Sequence, residues 1–247
     1  MEIEAQRDAF LDGRVQAWQP SKGYRAGVDT VMLAAAVPAK DGQSVLELGS
    51  GVGVAARCLL WRVPSVSMTC VEREPAFIHL ARRNFEGLDV TLIEANVAAL
   101  PEALRAQSFD YVMMNPPFFD HGMAGANALK SPAHQEDTPI AAWVDVARRR
   151  LQPRGVLTLI HRAERLAELV QAMVGFGEVT ILPIVARQGR AAQRVIVTAR
   201  KSAKTGSVLL PPFVMHDGAV HLRDGDDYSD EARAVLRDGA AIPLQAQ

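Results

Sequence analysis

The sequence predicts a doubly wound α/β fold with a mostly parallel sheet, and three observations predict it. From residue 44 onward, short apolar strand-like runs alternate with helix-like runs, which implies parallel strands with helices on both faces. The last two β-rich runs have no helix between them, so one strand is antiparallel near a sheet edge. The 247 residues, 49% hydrophobic and 22% charged, suit one large domain with a sizeable core and exclude wholesale disorder.

The elements follow in order. Ser44–Leu48 is an apolar strand closing on glycines, and Val54–Arg62 reads as a helix. Val66–Val71 is the second strand, and a helix around Pro75–Phe85 starts on a proline suited to a first turn. Val90–Ile93 and Phe109–Met114 are the third and fourth strands. Ile140–Leu151 is helical, with Trp143, Val144, Ala147 and Leu151 on one side. Pro153 and Gly155 stop it before a fifth strand, Val156–Ile160, and Arg162–Met173 is a further amphipathic helix. Val179–Val185 and Arg194–Ala199 complete seven strands. Ahead of the first strand, residues 19–25 look like a turn, and Asp29 is placed to cap a helix through Val31–Ala36. Residues 119–137 lack periodicity and read as a mobile or substrate-contacting loop.

The longest apolar run, Val31–Ala39, contains Pro38 and is far too short to span a bilayer, and no signal peptide is visible. Cys58 and Cys70 have neither CxxC nor zinc-ligand spacing, so they are expected as reduced, buried residues in a cytoplasmic protein without a structural metal. The charge is uneven. Residues 1–147 carry 12 Lys and Arg against 18 Asp and Glu, residues 148–204 carry 12 against 3, and residues 205–247 carry 3 against 7. A basic segment between acidic ones suits a polyanion-binding face; the plain alternative is helix faces whose arginines pair with nearby acids.

Chemistry concentrates at two strand ends. Glu47-Leu48-Gly49-Ser50-Gly51-Val52-Gly53 lies where a strand passes into a helix, and glycines there allow a sharp turn and close approach to a ligand. Gly51, Gly53 and Ala56 also satisfy the dinucleotide pattern, but Glu47 would repel a pyrophosphate while suiting an ammonium, and Glu72 at the next strand end suits ribose hydroxyls. Asn115-Pro116-Pro117-Phe118 follows the fourth strand at the carboxyl edge of the sheet. The Asn115 side-chain oxygen and the Pro116 carbonyl can both accept from one planar amine, and Phe118 offers a stacking surface.

With these residues, the sequence resembles class I S-adenosylmethionine-dependent methyltransferases acting on exocyclic amines. Gln19-Pro20 with Gly23–Thr30, the basic region Gly189–Lys201 and Tyr228–Glu231 are similar to segments of the bacterial tRNA(Val) adenine N6-methyltransferases, so the likeness spans nearly the whole chain. The resemblance implies a Rossmann-like, seven-stranded sheet ordered 3-2-1-4-5-7-6 in a domain at residues 44–204. It also implies an N-terminal segment, 1–43, over the cofactor site and a C-terminal extension, 205–247. Glu47, Gly49, Ser50, Gly51 and Gly53 would meet the methionine moiety, Glu72 the ribose, and the Asn96 amide oxygen the adenine, with Tyr24, Arg25 and Asp29 above and Asn115 beside the cofactor. Asn115, Pro116, Pro117 and Phe118 would form the catalytic segment, where alignment of the acceptor nitrogen matters more than acid–base chemistry. No metal is implied. Arg148, Arg149, Arg150, Arg187, Arg190, Arg194, Lys201 and Lys204 would hold the phosphates of a tRNA while the target base is splayed into the pocket. An rRNA base or a protein glutamine amide is the alternative acceptor, since the tetrapeptide accepts any planar –NH2; a non-enzymatic cofactor-binding scaffold is disfavoured by the intact Asn115.

Overall fold

The computed structural model describes residues 4–117, 138–218 and 227–244. Phe118 and the loop at 119–137 therefore lie outside the described residues. The chain opens with a hairpin of β1 (Ala5–Phe10) and β2 (Val15–Pro20), antiparallel and separate from the main sheet. Helix α1 (Val28–Ala36) follows. The main sheet and its helices then run β3 (Ser44–Leu48), α2 (Val54–Arg62), β4 (Ser67–Glu72), α3 (Pro75–Asn84), β5 (Val90–Glu94), α4 (Glu102–Arg105) and β6 (Phe109–Met114). After the undescribed loop come α5 (Ile140–Arg150), β7 (Leu151–Arg162), α6 (Leu166–Ala172), β8 (Phe176–Val185), β9 (Arg194–Lys201), β10 (Val208–Leu209), β11 (Phe213–Val214) and α7 (Asp230–Asp238).

The seven long strands lie in the order β5-β4-β3-β6-β7-β9-β8. Counted from β3 this is 3-2-1-4-5-7-6, and β9 runs antiparallel to both neighbours. The sheet is nine-stranded rather than seven-stranded, because β10 and β11 each add two residues to the outer edge of β8. Pro211 and Pro212 split that stretch into pieces too short to show a period. The β7 strand starts five residues earlier than its sequence suggests. Its register against β6 shifts between Phe109 and Tyr111, and this irregularity accommodates Pro153 and Gly155 inside the strand.

Side chains alternate between the two faces. Val45, Met68, Cys70 and Met113 join one core with α1, α2, α3, α7 and the hairpin, whereas Leu46, Leu48, Val71, Val112 and Met114 join the other with α4, α5 and α6. Glu47 shares the first face with Val45, so it points toward α2 and the N-terminal segment. Asp29 is not a cap. It lies in the first turn of α1 behind Gly27, which caps without a side-chain bond, and its carboxylate binds Arg194 instead, Oδ2 to Nε at 2.7 Å. No helix among the described residues is long and apolar enough to cross a membrane.

Candidate active site

A pocket opens at the carboxyl ends of β3 and β6, lined by Tyr24, Thr30, Glu47, Gly49, Ser50, Gly51, Phe77 and Asn115 among others. The turn after β3 shapes its floor. Trp143 and Phe85 pack onto Gly49 and Gly53, where an added Cβ would come within 2.8 and 2.2 Å of their rings. Gly51 differs: its φ is +57°, and a Cβ there would meet nothing within 4 Å. Its backbone is thus open to a ligand in a conformation that disfavours side chains.

Glu47 is 4% exposed. Its carboxyl takes the Ala56 backbone N–H in the first turn of α2, and the Cys70 thiol lies 3.8 Å from Oε2. Burial, reinforced by the charge of Glu72, pushes it up to about 8, so without a cationic partner it holds its proton at neutral pH. Burial likewise pushes the Cys58 thiol up to about 12 and the Tyr24 phenol above its usual range. Both cysteines are buried and free.

Glu72, also buried, is the brace of the turn. Its Oε2 accepts the Gly51 N–H at 2.7 Å, and its Oε1 accepts those of Arg73 and Glu74 at 2.8 and 2.9 Å. Three of roughly four acceptor directions on the carboxylate are used, so room for two ribose hydroxyls is reduced to about one. Asn96 is half-buried, and its Oδ1 accepts the Ala98 N–H at 2.8 Å, capping a 3-10 turn at Val97–Ala99. The oxygen assigned to the adenine therefore already carries a bond.

Asn115 leaves β6 beside the glycine turn. Its Oδ1 is buried without a hydrogen-bond partner among the described residues. A buried acceptor left empty is costly unless a ligand completes it. Pro116 is buried behind it and Pro117 exposed.

The N-terminal segment forms the opposite wall through residues the sequence did not single out by role. Gln19, 1% exposed, bonds both the N–H and the C=O of Ala26, at 2.7 and 3.2 Å, and Asp8 at 2.7 Å. It ties the strap carrying Tyr24 back onto the hairpin. Phe77, in the first turn of α3, stands 6.5 Å from the Tyr24 ring. Arg25 and Asp29 do not line the pocket. Arg25 is drawn to Asp8 at 2.5 Å, and Asp29 to Arg194, so both anchor the wall from outside.

The basic residues do not form one face. Arg187, Arg190 and Arg194 flank the β8–β9 connection at the carboxyl end, on the pocket's side of the sheet. Arg187 binds Asp227 and the Asp217 carbonyl, and Asp227 also holds His216 Nδ1 at 2.6 Å. Arg148, Arg149 and Arg150 end α5 at the start of β7, and Lys201 ends β9, donating to the Leu151 carbonyl at 2.5 Å. Lys204 follows it. These five lie at the amino end, away from the pocket, because the helix of a βα unit finishes where the next parallel strand begins.

Comparison with known proteins agrees with this geometry. A family model described as methyltransferase small domain matches residues 25–183. A tRNA1(Val) (adenine(37)-N6)-methyltransferase from Haemophilus influenzae is 25% identical over 219 residues, covering 87% of this chain and 90% of its own. One with the same description from Porphyromonas gingivalis is 30% identical, covering 66% and 68%. A crystal structure described as a predicted O-methyltransferase from Agrobacterium tumefaciens superposes with a TM-score of 0.71 at 25% identity, over 87% of this chain and 98% of that one. The 16S rRNA N2 G1207 methyltransferase of Thermus thermophilus, solved with S-adenosylmethionine and guanosine, shares the fold at a TM-score of 0.54 and 22% identity, over 80% and 50%. The chain belongs to the methyltransferase small domain family and is an S-adenosylmethionine-dependent methyltransferase.

Proposed function

We propose that this enzyme methylates the exocyclic N6 of an adenine in RNA, with a tRNA as the substrate class. The observation that carries the reading is the buried, unpartnered Oδ1 of Asn115 at the pocket wall, followed by Pro116. The residues present fit the cofactor: Asn115 Oδ1 lacks a hydrogen-bond partner among the described residues, the Gly51 backbone is open, and Glu47 offers a buried carboxyl to an ammonium. Gly49, Ser50, Gly51 and Gly53 would hold the methionine moiety, Glu72 would give its remaining acceptor direction to the ribose, and Asn96 would face the adenine. Bound S-adenosylmethionine supplies a methyl group on a positively charged sulfur, which needs no further activation.

The chain's own part is then positioning. Asn115 Oδ1 and the Pro116 carbonyl accept from the two N–H groups of the amine, turn its lone pair toward the methyl group, and favour the positive charge that develops on nitrogen. The surplus proton leaves afterward, so no base is required. Tyr24 and Phe77 form an apolar rim that limits water. On this reading residues 44–204 are the catalytic body, 1–43 the strap and 205–247 an extension, and the enzyme works with its RNA in the cytoplasm.

A protein glutamine amide is the second reading, favoured by one observation: Arg187 and Arg194 at the pocket's end of the sheet are already matched by acids. Labelled S-adenosylmethionine offered with total tRNA, or with ribosomal and release-factor proteins, decides between them. Label in N6-methyladenosine released from the RNA by nuclease and phosphatase at neutral pH supports the RNA reading; label only in protein overturns it.

A further inference from the structure

We infer that the amino end of the sheet is a second RNA-docking surface, which takes the backbone of the substrate's distant arm. The inference rests on the RNA reading of the pocket, but on different residues and observations.

Two acids are shared there by four arginines. Asp145 binds both Arg148, at 2.7 Å, and Arg149, and Glu178 binds both Arg154, at 3.2 Å, and Arg200. Two further cations, Arg150 and Lys201, are fixed by carbonyls, which orient a head group without cancelling its charge. Arg150 donates to the carbonyls of Leu104, Arg105 and Gln107, and Lys201 to that of Leu151. These cations also crowd one another. Burial and the neighbouring Arg149 and Arg105 charges lower Arg150, while burial with Arg148 and Arg150 lowers Lys201. A site that concentrates like charge on the isolated protein gains from an anion that relieves it.

An extended polyanion fits better than a single phosphate, because the cations come from α4, α5, β7 and β9 and include Arg149 and Arg154, whose side chains are 63% and 64% accessible. The six residues of β6, Phe109–Met114, run from this end to the pocket, with Leu151 opposite Phe109 and Leu159 opposite Met114; at about 3.3 Å per residue that is roughly 20 Å. At about 3.4 Å of axis per phosphate on each strand of a B-form duplex, and somewhat less in A-form RNA, an RNA must run on for roughly six or seven base pairs beyond the target to touch both ends.

The test replaces Arg149, Arg154 and Lys204 by glutamine, which leaves Arg148 on Asp145 and Arg200 on Glu178. Methylation is measured on two RNAs: a full-length tRNA(Val), and the same RNA cut back to a stem-loop of fewer than six base pairs around the target base. The expected result is a KM at least tenfold higher for the full-length RNA, with a shallower salt dependence. KM for the stem-loop stays within twofold, kcat is unchanged on both, and the melting temperature is unchanged. An equal effect on both RNAs, a fall in melting temperature that accounts for the loss, or an unchanged KM on the full-length RNA overturns the docking surface. A wild-type enzyme that methylates neither RNA overturns the RNA reading of the pocket instead.

Discussion

At the pocket's end of the sheet, arginines each meet an acid: Arg25 with Asp8, Arg73 with Glu74, Arg162 with Glu164, Arg165 with Glu168, Arg187 with Asp227 and Arg194 with Asp29. At the amino end of the same sheet, Asp145 and Glu178 each serve two arginines. Three of these pairs join segments distant in sequence, residue 8 with 25, 29 with 194 and 187 with 227, and so tie together the segments around the pocket. Their charge is used inside the molecule. The shared acids leave charge over for something outside it. The net positive balance of residues 148–204 is therefore two different things, an assembly device at one end and an attractive surface at the other.

The largest effect should come from the pocket end, and from a neutral side chain. Asn115→Ala removes an acceptor that acts chiefly once charge develops on the nitrogen. A kcat loss of about 10²–10³ is expected, with S-adenosylmethionine affinity within a few-fold of wild type. Single-turnover methylation beside calorimetric titration separates the two quantities. Near wild-type turnover would detach the chemistry from the carboxyl end and dissolve the contrast between the two ends.

Glu47 sharpens the contrast through pH. Its folded value, about 8, lies above the ordinary 4.5, so the stability it contributes without a ligand is present below pH 4.5 and is lost as pH rises through 8. Ammonium binding needs the opposite, ionised form. S-adenosylmethionine affinity should therefore rise from pH 6 toward 7.5, by up to about tenfold per unit, and level off near pH 7.7–8.0 where a free α-amino group loses its own proton. Glu47→Gln should flatten this profile and weaken binding about tenfold at pH 7.5. A wild-type affinity indifferent to pH over that range would place the ammonium elsewhere.

Much of this arrangement was legible in the sequence, and the gaps have physical causes. The strands β3 and β6 and the helix α2 have the bounds that their apolar runs suggest, because short buried strands closed by Gly49 or Asn115 leave little freedom. The hairpin did not announce itself as apolar alternation, since β1 is half exposed; Asp12-Gly13 at its tip was the available signal. The α7 helix carried a Ser229 cap, which accepts the Ala232 N–H, ahead of Asp230 and Glu231, and that too was readable. Other features were not local. Nothing near residue 25 or 29 in the sequence shows that Asp8 and Arg194 will claim them, or that three amides will occupy Glu72. The division of the basic residues was recoverable from topology, because Arg148–Arg150 end a helix that feeds a parallel strand.

Replacing Arg187, Arg190 and Arg194 together by glutamine probes the matched end. Partly exposed ion pairs contribute about 0.2–1 kcal/mol each, so two lost pairs should lower the melting temperature by roughly 1–8 °C in a chain of this size. Arg190 makes no ion pair among the described residues, and it alone should reduce the salt dependence of RNA binding, by about 0.7–0.9 in the logarithmic slope. A thermal melt beside a filter-binding salt titration reads both. A loss of slope equivalent to three phosphates at constant melting temperature would mean that the pocket end, too, keeps its charge for the RNA.

The smallest effect tests whether Asn96 does more than cap its turn. Its Oδ1 accepts the Ala98 N–H, and a carbonyl oxygen retains a second acceptor direction, so the cap and an adenine amino group compete only for geometry. Asn96→Asp preserves the cap, since a carboxylate accepts the same N–H and is favoured at the positive end of a helical turn. It also adds charge to whatever second bond the side chain makes. A hydrogen bond to an ionised acceptor exceeds a neutral one by about 1 kcal/mol, which after screening predicts a two- to five-fold gain in S-adenosylmethionine affinity. The melting temperature of the unliganded protein should hold or rise slightly. Calorimetry with adenosine run beside the full cofactor localises the gain, because adenosine carries the adenine amino group without the methionine ammonium that Glu47 would hold. A gain shared by both ligands assigns Asn96 to the adenine, whereas unchanged affinity for both confines it to the cap and sends the search for an adenine acceptor to the backbone carbonyls around it.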